Sequence, residues 1–535
     1  MPLSALHTTL LALIWTQTVL STPEDHHHTA WIRITRNEST FSSFNLPNAE
    51  RDAVWKLVKD PTSSKIYAGG SHGLYEFNPE TLNPGRTQEA LPIFKNECKG
   101  SDPGCENSIS VMTEGKNGNP LFVCGKWSVK KCCKVDSGYQ LVDCFNMQGS
   151  AENVNESALY VGDTLYFTIS GDSSANAPLG LYRQKAAGGH TWPQTRDIAQ
   201  RYVKIIADEI NAEEDGKLYN FYIEKNQNED PETPFWIPRV SRYCMSDTGG
   251  SKNQLQYRWT SMLTARLFCG DKQKRVTFTE LLDVAVLDPE NWHNTMVYAL
   301  FKNNYNMTAV CIYKMSEITR IFASGKFRGL TESPQHAGEC DPEKPPVLLK
   351  FMEKRPEMEE WIESERGPLL VGHRQYTHLQ VDSVTGNNVL FLTLGSGRIH
   401  KVVELDNGTF IITEYEPFEK KTHIQSMLLD KATKKLYVSS SDKLVQIDLK
   451  NCSVYGKIKC DSMLTKDPYC ERSGTACSPD TPGNRFENKT DSKEKMSDNQ
   501  ERTVASYHLG NSASQPRVPP CLLILISLIC FWYQG

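Results

Sequence analysis

No metalloprotease helix of the form H-E-x-x-H, no P-loop and no strand-linked G-x-G-x-x-G occurs in the 535 residues. Zinc hydrolysis, phosphate cradling by a glycine loop and dinucleotide binding lose their usual footholds, and the chain is expected to perform no catalysis and to need no cofactor. An excess of basic residues is missing as well. With 59 Lys and Arg against 64 Asp and Glu, the net charge is −5, so nothing draws the whole chain toward nucleic acid. Also absent is any run of about 20 apolar residues, the length that a bilayer core demands of a spanning helix.

Two shorter apolar runs are present, one near each end. Thr9-Leu10-Leu11-Ala12-Leu13-Ile14-Trp15 leads to the small polar pair Ser21-Thr22 and reads as a secretory signal over residues 1–22, although its n-region has no Lys or Arg. At the other end Pro519-Pro520 precedes the apolar stretch Cys521 to Tyr533, with no basic residue after it. Upstream, Asn511-Ser512-Ala513 supplies three small residues and Ser512 to Pro520 a polar spacer of nine. This is the ω-site, spacer and tail of a GPI signal over residues 511–535. Attachment falls at Asn511, with Gly510 or Ser512 as alternatives; a short tail anchor and an unprocessed secreted end are the competing readings.

Cysteine usage agrees with export. Of 16 cysteines, 14 lie between the two terminal runs, an even number whose natural state outside the cell is paired. Six Asn-X-Ser/Thr sequons, at Asn37, Asn155, Asn306, Asn407, Asn451 and Asn488, are expected glycosylation points on surface loops.

The body of the chain reads as mainly β. Lys65 to Phe77, Val389 to Val403 and Lys435 to Leu449 share one pattern: an apolar-aromatic strand, a turn rich in Gly, Ser or Asp, then a second strand. Phe391 and Tyr437 stand 46 residues apart, near the ~40–50-residue spacing of four-stranded propeller blades. Further short strands are expected at Pro120–Cys124, Leu165–Ile169, Leu218–Ile223 and Met296–Phe301, each bounded by turn formers. Residues 30–450 would give roughly seven blades of about 60 residues, with loops and one insertion included. After Asn451 the texture changes. Cys452, Cys460, Cys470 and Cys477 crowd into residues 451–478 among few apolar side chains, as in small modules held by disulfides. Residues 479–510 are polar and charged and read as a flexible stalk.

Several motifs invite chemistry and are read more plainly. Gly69-Gly70-Ser71-His72-Gly73 spells the G-x-S-x-G elbow of serine hydrolases, but strand-type alternation comes after it where the elbow needs a helix, so a hairpin turn is expected. His26-His27-His28 has no second ligand cluster and reads as solvated terminus. Adjacent Cys132 and Cys133 are expected to bond elsewhere rather than to each other. The basic groups Lys126, Lys130, Lys131, Lys134 and Lys272, Lys274, Arg275 could hold sulfated glycans but read as a solvated face of an acidic whole.

One long stretch is more specific. Val240-Ser241-Arg242-Tyr243-Cys244, then Asp247-Thr248-Gly249-Gly250, then Trp259-Thr260-Ser261-Met262-Leu263-Thr264-Ala265-Arg266-Leu267-Phe268-Cys269 resembles the central signature of semaphorin propellers, V-x-R-x-C through D-x-G-G to W-T-x-x-L-x-A-R-L-x-C. Phe122-Val123-Cys124-Gly125 is similar to the family's aromatic-V-C-G strand, Val389-Leu390-Phe391-Leu392 with Lys401-Val402-Val403 to its V-L-F-L and K-V-V blade, and Asp467-Pro468-Tyr469-Cys470 to the D-P-Y-C of the small module behind the propeller. Together these matches cover roughly residues 50–477. The chain is identified as a member of the semaphorin family, most like its GPI-linked class 7.

The resemblance implies a seven-bladed propeller followed by a PSI-like cysteine-rich module, and a cell-surface ligand that binds a plexin receptor of class C, as a homodimer, to signal in guidance, migration or immune contact. It implies the pairs Cys98–Cys105, Cys124–Cys133, Cys244–Cys340 and Cys269–Cys311, leaving Cys132–Cys144 as a fifth. Three departures stand out. Glu471-Arg472 replaces the module's usual Gly-Trp, and no C-x-x-C precedes Asp467. The immunoglobulin domain expected behind the module is replaced by the polar stalk, as in a shortened form. Class 7 members carry Arg-Gly-Asp after the cysteine corresponding to Cys244 and bind integrin with it; here the triplet is Met245-Ser246-Asp247, and no Arg-Gly-Asp occurs elsewhere. An integrin-binding adhesion protein and a plexin decoy that does not activate are the alternatives.

Overall fold

The computed structural model describes residues 30–479 except 31, 36–40, 47–54, 61–64, 71–72, 83–107, 115–120, 127–130, 147–153, 174–176, 195–196, 209–215, 229–232, 289–290, 333, 342, 355, 407, 420, 456–465 and 474–475. The signal run, His26 to His28, Lys130, Cys98, Cys105, Cys460, the sequons at Asn37, Asn407 and Asn488, the stalk from Asp480 onward and the tail with Gly510, Asn511 and Ser512 lie outside the described residues. Asn155 and Cys477 are described in their backbone alone.

Seven sheets follow one another along the chain. Blade 1 is Lys56–Lys59, Ile66–Gly70 and Gly73–Phe77. Blade 2 is Ser108–Glu114, Leu121–Lys126, Lys131–Val135 and Leu141–Asn146. Blade 3 is Val154–Val161, Thr164–Ile169, Gly180–Lys185 and His190–Thr191. Blade 4 is Gln200–Ala207, Lys217–Lys225, Trp236–Cys244 and Leu263–Phe268. Blade 5 is Glu280–Val286, Met296–Lys302, Thr308–Lys314 and Pro368–Gly372. Blade 6 is Tyr376–Val384, Asn387–Leu394, Ile399–Leu405 and Gly408–Glu416, and blade 7 is Ser426–Asp430, Lys435–Ser439 and Lys443–Asp448. The first strand of each blade touches the first strand of the next, and blade 7 touches blade 1. The ring is therefore closed: this is a seven-bladed β-propeller.

Closure uses the N-terminal part of the chain. Phe41–Asn45 pairs antiparallel with Lys443 to Ile447 as the outer strand of blade 7, and Ile32–Thr35 runs parallel to Thr413 to Glu416 on blade 6. Outer edges that would otherwise offer unpaired backbone groups are thereby covered.

The three repeated patterns form the second and third strands of blades 1, 6 and 7, with Phe391 and Tyr437 in equivalent strands. Their apolar runs lack clean alternation because each blade is packed on both faces. Tyr67 enters the core between blades 1 and 2 while Ile66 and Ala68 enter that between blades 7 and 1. Leu390 and Leu392 face blade 5, whereas Val389 and Phe391 face blade 7. In place of a single central core there are seven, one at each blade junction.

Ser71 and His72 of the G-x-S-x-G letters lie outside the described residues; on either side of them Gly70 pairs antiparallel with Gly73, and the chain continues as the strand Gly73–Phe77, where a nucleophile elbow would need a helix.

Two of the expected disulfide pairings are corrected. Cys124 bonds Cys132, and Cys133 bonds Cys144, in place of Cys124–Cys133 and Cys132–Cys144. The reason is strand parity: successive residues point to opposite faces. Cys124 stands directly opposite Cys132 in the blade 2 ladder, while Cys133 stands opposite Val123. Cys124 and Cys132 enter the core between blades 2 and 3, so Cys133 must look the other way.

The C-terminal module is less independent than its composition implies. Cys452–Tyr455 forms a short 3-10 turn, and Cys470–Ser473 pairs antiparallel with Ala476–Pro479. Cys452 bonds Cys470. Cys452, Tyr455, Tyr469 and Cys470 are buried in the same core as Val389, Phe391 and Val445, so burial against blades 6 and 7 holds the module alongside its disulfide. Polar contacts join the same surfaces. Lys401 of the K-V-V strand is fully buried with Nζ 2.7 Å from Asp467 Oδ2, and the Tyr455 hydroxyl donates to the same oxygen. Tyr469 donates to Asp382 Oδ2 at 2.6 Å.

Candidate protein-recognition surface

Blade 4 carries the semaphorin-like signature and shows why those residue types are needed. The strand Trp236–Cys244 ends in a tight turn that Asp247 organises. Its buried carboxylate accepts from the backbone N–H groups of Gly249, Thr260 and Ser261 and from the hydroxyls of Thr260 and Ser261, at 2.7–3.1 Å. Gly249 has φ +92°, and a Cβ there would stand 2.8 Å from the backbone of Tyr257; at Gly250 it would stand 2.3 Å from the carbonyl of Gln254. Both positions admit only glycine. Trp259 donates to the carbonyl of Leu181 at 2.7 Å and packs edge-on to Tyr243, binding blade 4 to blade 3.

Asp247 is thus committed inside the fold, where the resemblance places the acid of an integrin triplet. Rebuilding the triplet with Met245→Arg and Ser246→Gly is expected to give no gain in cell adhesion to purified integrins, because the acid remains buried. Asp247→Asn is expected to lower stability by about 3 kcal/mol by leaving at least one buried donor unmet. Adhesion by the rebuilt triplet, or an unchanged denaturation midpoint for Asp247→Asn, would contradict this assignment.

The rest of the signature anchors a long insertion. Between the third and fourth strands of blade 5 the chain leaves the sheet and forms the helices Met315–Ser324 and Pro346–Glu353, then runs along the outer edge of blade 4. There Thr264 bridges Glu357, and Leu267 and Phe268 pair in parallel with Ile362 and Glu363. Cys244 bonds Cys340 and Cys269 bonds Cys311. Arg242 donates to the carbonyl of Gly338 at 2.9 Å, and Arg266 Nε donates to Glu357 at 2.6 Å. Burial by itself would push the Glu357 carboxyl up, but Arg239, Arg266 and Arg328 overcome it and together hold that carboxyl below its usual range.

Exposed apolar side chains concentrate on this part of the ring. Among the described residues, six large hydrophobics are exposed, and five of them, Phe235, Tyr257, Leu330, Val347 and Trp361, belong to blade 4 or the insertion. Cations accompany the aromatic ones. Lys225 lies 5.4 Å over the Phe235 ring and Arg266 5.5 Å over Trp361, while Tyr257 leans on His190, whose other neighbour Trp192 is capped by Arg258. Aromatics with arginine are the side chains that dominate protein interfaces. This constellation escaped the sequence reading, which left receptor contacts unassigned. Its one visible signal was the helical spacing of Met315, Ile318, Ile321 and Phe322, all buried.

The other singled-out residues disperse. Lys272 pairs with Glu363 at 2.5 Å and Lys274 with Asp271 at 3.6 Å, and Lys134 with Asp143 at 2.9 Å, so both basic groups include charges neutralised by neighbours. Asn306 is exposed in a hairpin loop of blade 5 and Asn451 is half-buried beside the module. Among the described residues no group of three His, Cys, Asp or Glu side chains is placed to hold a metal ion.

Residues 281–431 match the family model described as Sema domain. Mouse Semaphorin-7A is 30% identical over 442 residues, which covers 77% of this chain and 66% of that protein; the chain thus spans slightly under two thirds of the relative. Among solved structures, extracellular domains 1–2 of Drosophila Semaphorin 1b superpose with a TM-score of 0.66 at 20% identity, over 82% of this chain and 92% of that one. A complex of Drosophila Plexin A with Semaphorin 1b gives a TM-score of 0.64 at 20% identity, over the same shares.

Proposed function

Because the chain belongs to the semaphorin family, we propose that it is a signalling ligand of the cell surface or extracellular space that binds a plexin receptor through its propeller. The observation that carries this reading is the gathering of exposed aromatic and cationic side chains on blade 4 and on the blade 5 insertion that runs along its edge. The Drosophila Plexin A complex with Semaphorin 1b supports it by analogy, since a propeller of the same fold is a plexin partner there. Rigid faces and edges suit protein recognition rather than catalysis in a deep apolar cleft, so the function is binding, with no reaction.

Finer features of the same proposal are a class C plexin, a homodimer that juxtaposes two receptors and gains apparent affinity from bivalence, and a GPI tether at Asn511 or its neighbours Gly510 and Ser512. Integrin binding through residues 245–247 is not part of it, given where Asp247 sits.

The test is to apply the purified chain to cells that each express one plexin, scoring bound protein and receptor clustering. Saturable binding to at least one plexin is expected; folded protein that binds none would sink the proposal. Sedimentation at micromolar concentration accompanies it, and a strict monomer that binds without clustering would favour the decoy over the dimeric agonist.

A further inference from the structure

Between the outer face of blade 4 and the inserted segment lies a cleft of about 610 Å³, within the size range of sites for small organic ligands. One wall is cationic. Arg239 stands in the middle of blade 4, directly opposite Tyr222 on one side and Arg266 on the other, and its side chain is only 7% exposed. Its Nε is 3.2 Å from Glu224 Oε1 and its Nη1 3.2 Å from Glu357 Oε2, yet neither nitrogen makes a hydrogen bond. The other oxygen of each carboxylate is engaged elsewhere. Glu357 Oε1 accepts from Arg266 at 2.6 Å and Arg328 at 3.0 Å, and Glu224 Oε2 accepts from Gln200 at 2.8 Å.

Three guanidinium groups therefore face two carboxylates, and Lys225 and Lys354 add positive charge at the rim. The central guanidiniums respond differently: burial would lower the Arg239 pKa, but Tyr222, Glu224 and Glu357 raise it above its ordinary value. Burial and, against the pull of Glu357, the neighbouring charges of Arg239 and Arg328 lower the pKa of Arg266. A buried guanidinium with unmade hydrogen bonds is costly to keep, and an oxyanion would complete it.

Another part of the wall is apolar. Phe327 and Phe351 meet edge to face at 5.0 Å, and Ile237 and Met262 line the cleft with them. A wholly polar ligand such as a sulfated polysaccharide would leave this wall unfilled. A bare inorganic anion would occupy only a fraction of the volume.

We propose that this cleft binds an oxyanion carried on a ring-sized apolar body, the chemistry of an aryl sulfate such as a sulfated tyrosine side chain, with Arg239 and Arg328 receiving the oxyanion and Phe327 and Phe351 the ring. The site adjoins the exposed aromatic surface, with Lys225, Arg266 and Leu330 common to both, and stands whether or not a plexin is the receptor.

The experiment is calorimetric titration of the purified full chain with phenyl sulfate, with a short peptide bearing one O-sulfotyrosine, with the same peptide unsulfated, with inorganic sulfate and with a heparin hexasaccharide. Saturable binding of phenyl sulfate and of the sulfated peptide is expected, at least tenfold tighter than the unsulfated peptide, inorganic sulfate or the hexasaccharide. A sulfated peptide that exceeds phenyl sulfate tenfold identifies a partner's side chain as the source, and equal affinity a free aryl sulfate. Arg328→Gln, at a side chain 54% exposed and so compatible with folding, is expected to weaken both at least tenfold, whereas Lys274→Gln, at an exposed side chain that does not line the cleft, leaves them unchanged. No saturable binding of either sulfate ester, equal binding of the unsulfated peptide, or insensitivity to Arg328→Gln would overturn the proposal. Tighter binding of the hexasaccharide would replace it with a glycan site.

Discussion

Lys401→Met is expected to lower the stability of the chain by about 3–5 kcal/mol, the usual cost of leaving a buried ionic partner uncompensated. Lys401 has no exposed surface, and Asp467 is 1% exposed. The ammonium sits 4.1 Å over the Tyr469 ring, so the lysine is enclosed by the module on one side and by blade 6 on the other. Burial drives its pKa below the ordinary lysine value, against the opposing pull of Asp467 and Asp382. Removing the cation takes the counter-charge from the buried Asp467, which keeps donors such as the Tyr455 hydroxyl and the Tyr469 N–H. The neighbouring pair reinforces the joint: Lys434 stands 2.7 Å from Asp382, which also accepts from Tyr469.

The double substitution Lys401→Met with Asp467→Leu separates charge from packing. Replacing a buried pair by apolar side chains of similar volume is often neutral or stabilising, so the double variant should recover most of the loss. Guanidinium denaturation measures both. A single variant within about 1 kcal/mol of the parent, or a double variant no better than the single, would contradict the role assigned to this pair.

Opening the Cys244–Cys340 bridge is the second large effect. The two cysteines are 96 residues apart, and a loop of that length contributes about 4–5 kcal/mol in the chain-entropy account, with 2–5 kcal/mol typical of native bridges. Cys244→Ser with Cys340→Ser should therefore cost about 4 kcal/mol in denaturant. It should also act locally, because Arg242 reaches Gly338 beside the bridge and a Cβ at Gly338 would collide with Leu263 at 2.4 Å. The segment around residues 334–341 is expected to become the first site of proteolysis, while Cys269–Cys311 stays closed and the rest of the ring resists. An unchanged midpoint together with an unchanged digestion pattern would show that the insertion is held by its β-bridges and ion pairs alone.

The strands were legible where physics is local. Ile66-Tyr67-Ala68, Leu390-Phe391-Leu392 and Leu436-Tyr437-Val438 read as blade strands because both faces of a blade are buried and the apolar run shows it. The antiparallel pairing of Ile66 to Gly70 with Gly73 to Phe77 was legible from the alternation of Leu74-Tyr75-Glu76-Phe77. The closing strand Phe41–Asn45 was not, since FSSFN has only two apolar residues and takes its place from Lys443 to Ile447, some 400 positions away. Nor were the roles of the signature residues. Arg266 and Glu357 are 91 positions apart and Lys401 and Asp467 66, and only the ring geometry brings them together. Strand parity at Cys132 and Cys133 was available in the sequence, yet it decides the pairing only once Cys124 is known to stand opposite Cys132. The exposed surface proposed to meet the receptor was illegible for a related reason: Phe235, Tyr257 and Trp361 look like core residues until blade packing leaves them outside.

Hydrogen exchange of the chain alone and in complex with the plexin that binds it is the most direct test of the claim that the propeller is the recognition element. Slowed exchange is expected in peptides of blade 4 and the insertion, within residues 225–262 and 327–363, with blades 6 and 7 and the module unchanged. Protection confined to residues outside the propeller, or to blades 6 and 7 with blade 4 and the insertion unaffected, would contradict it.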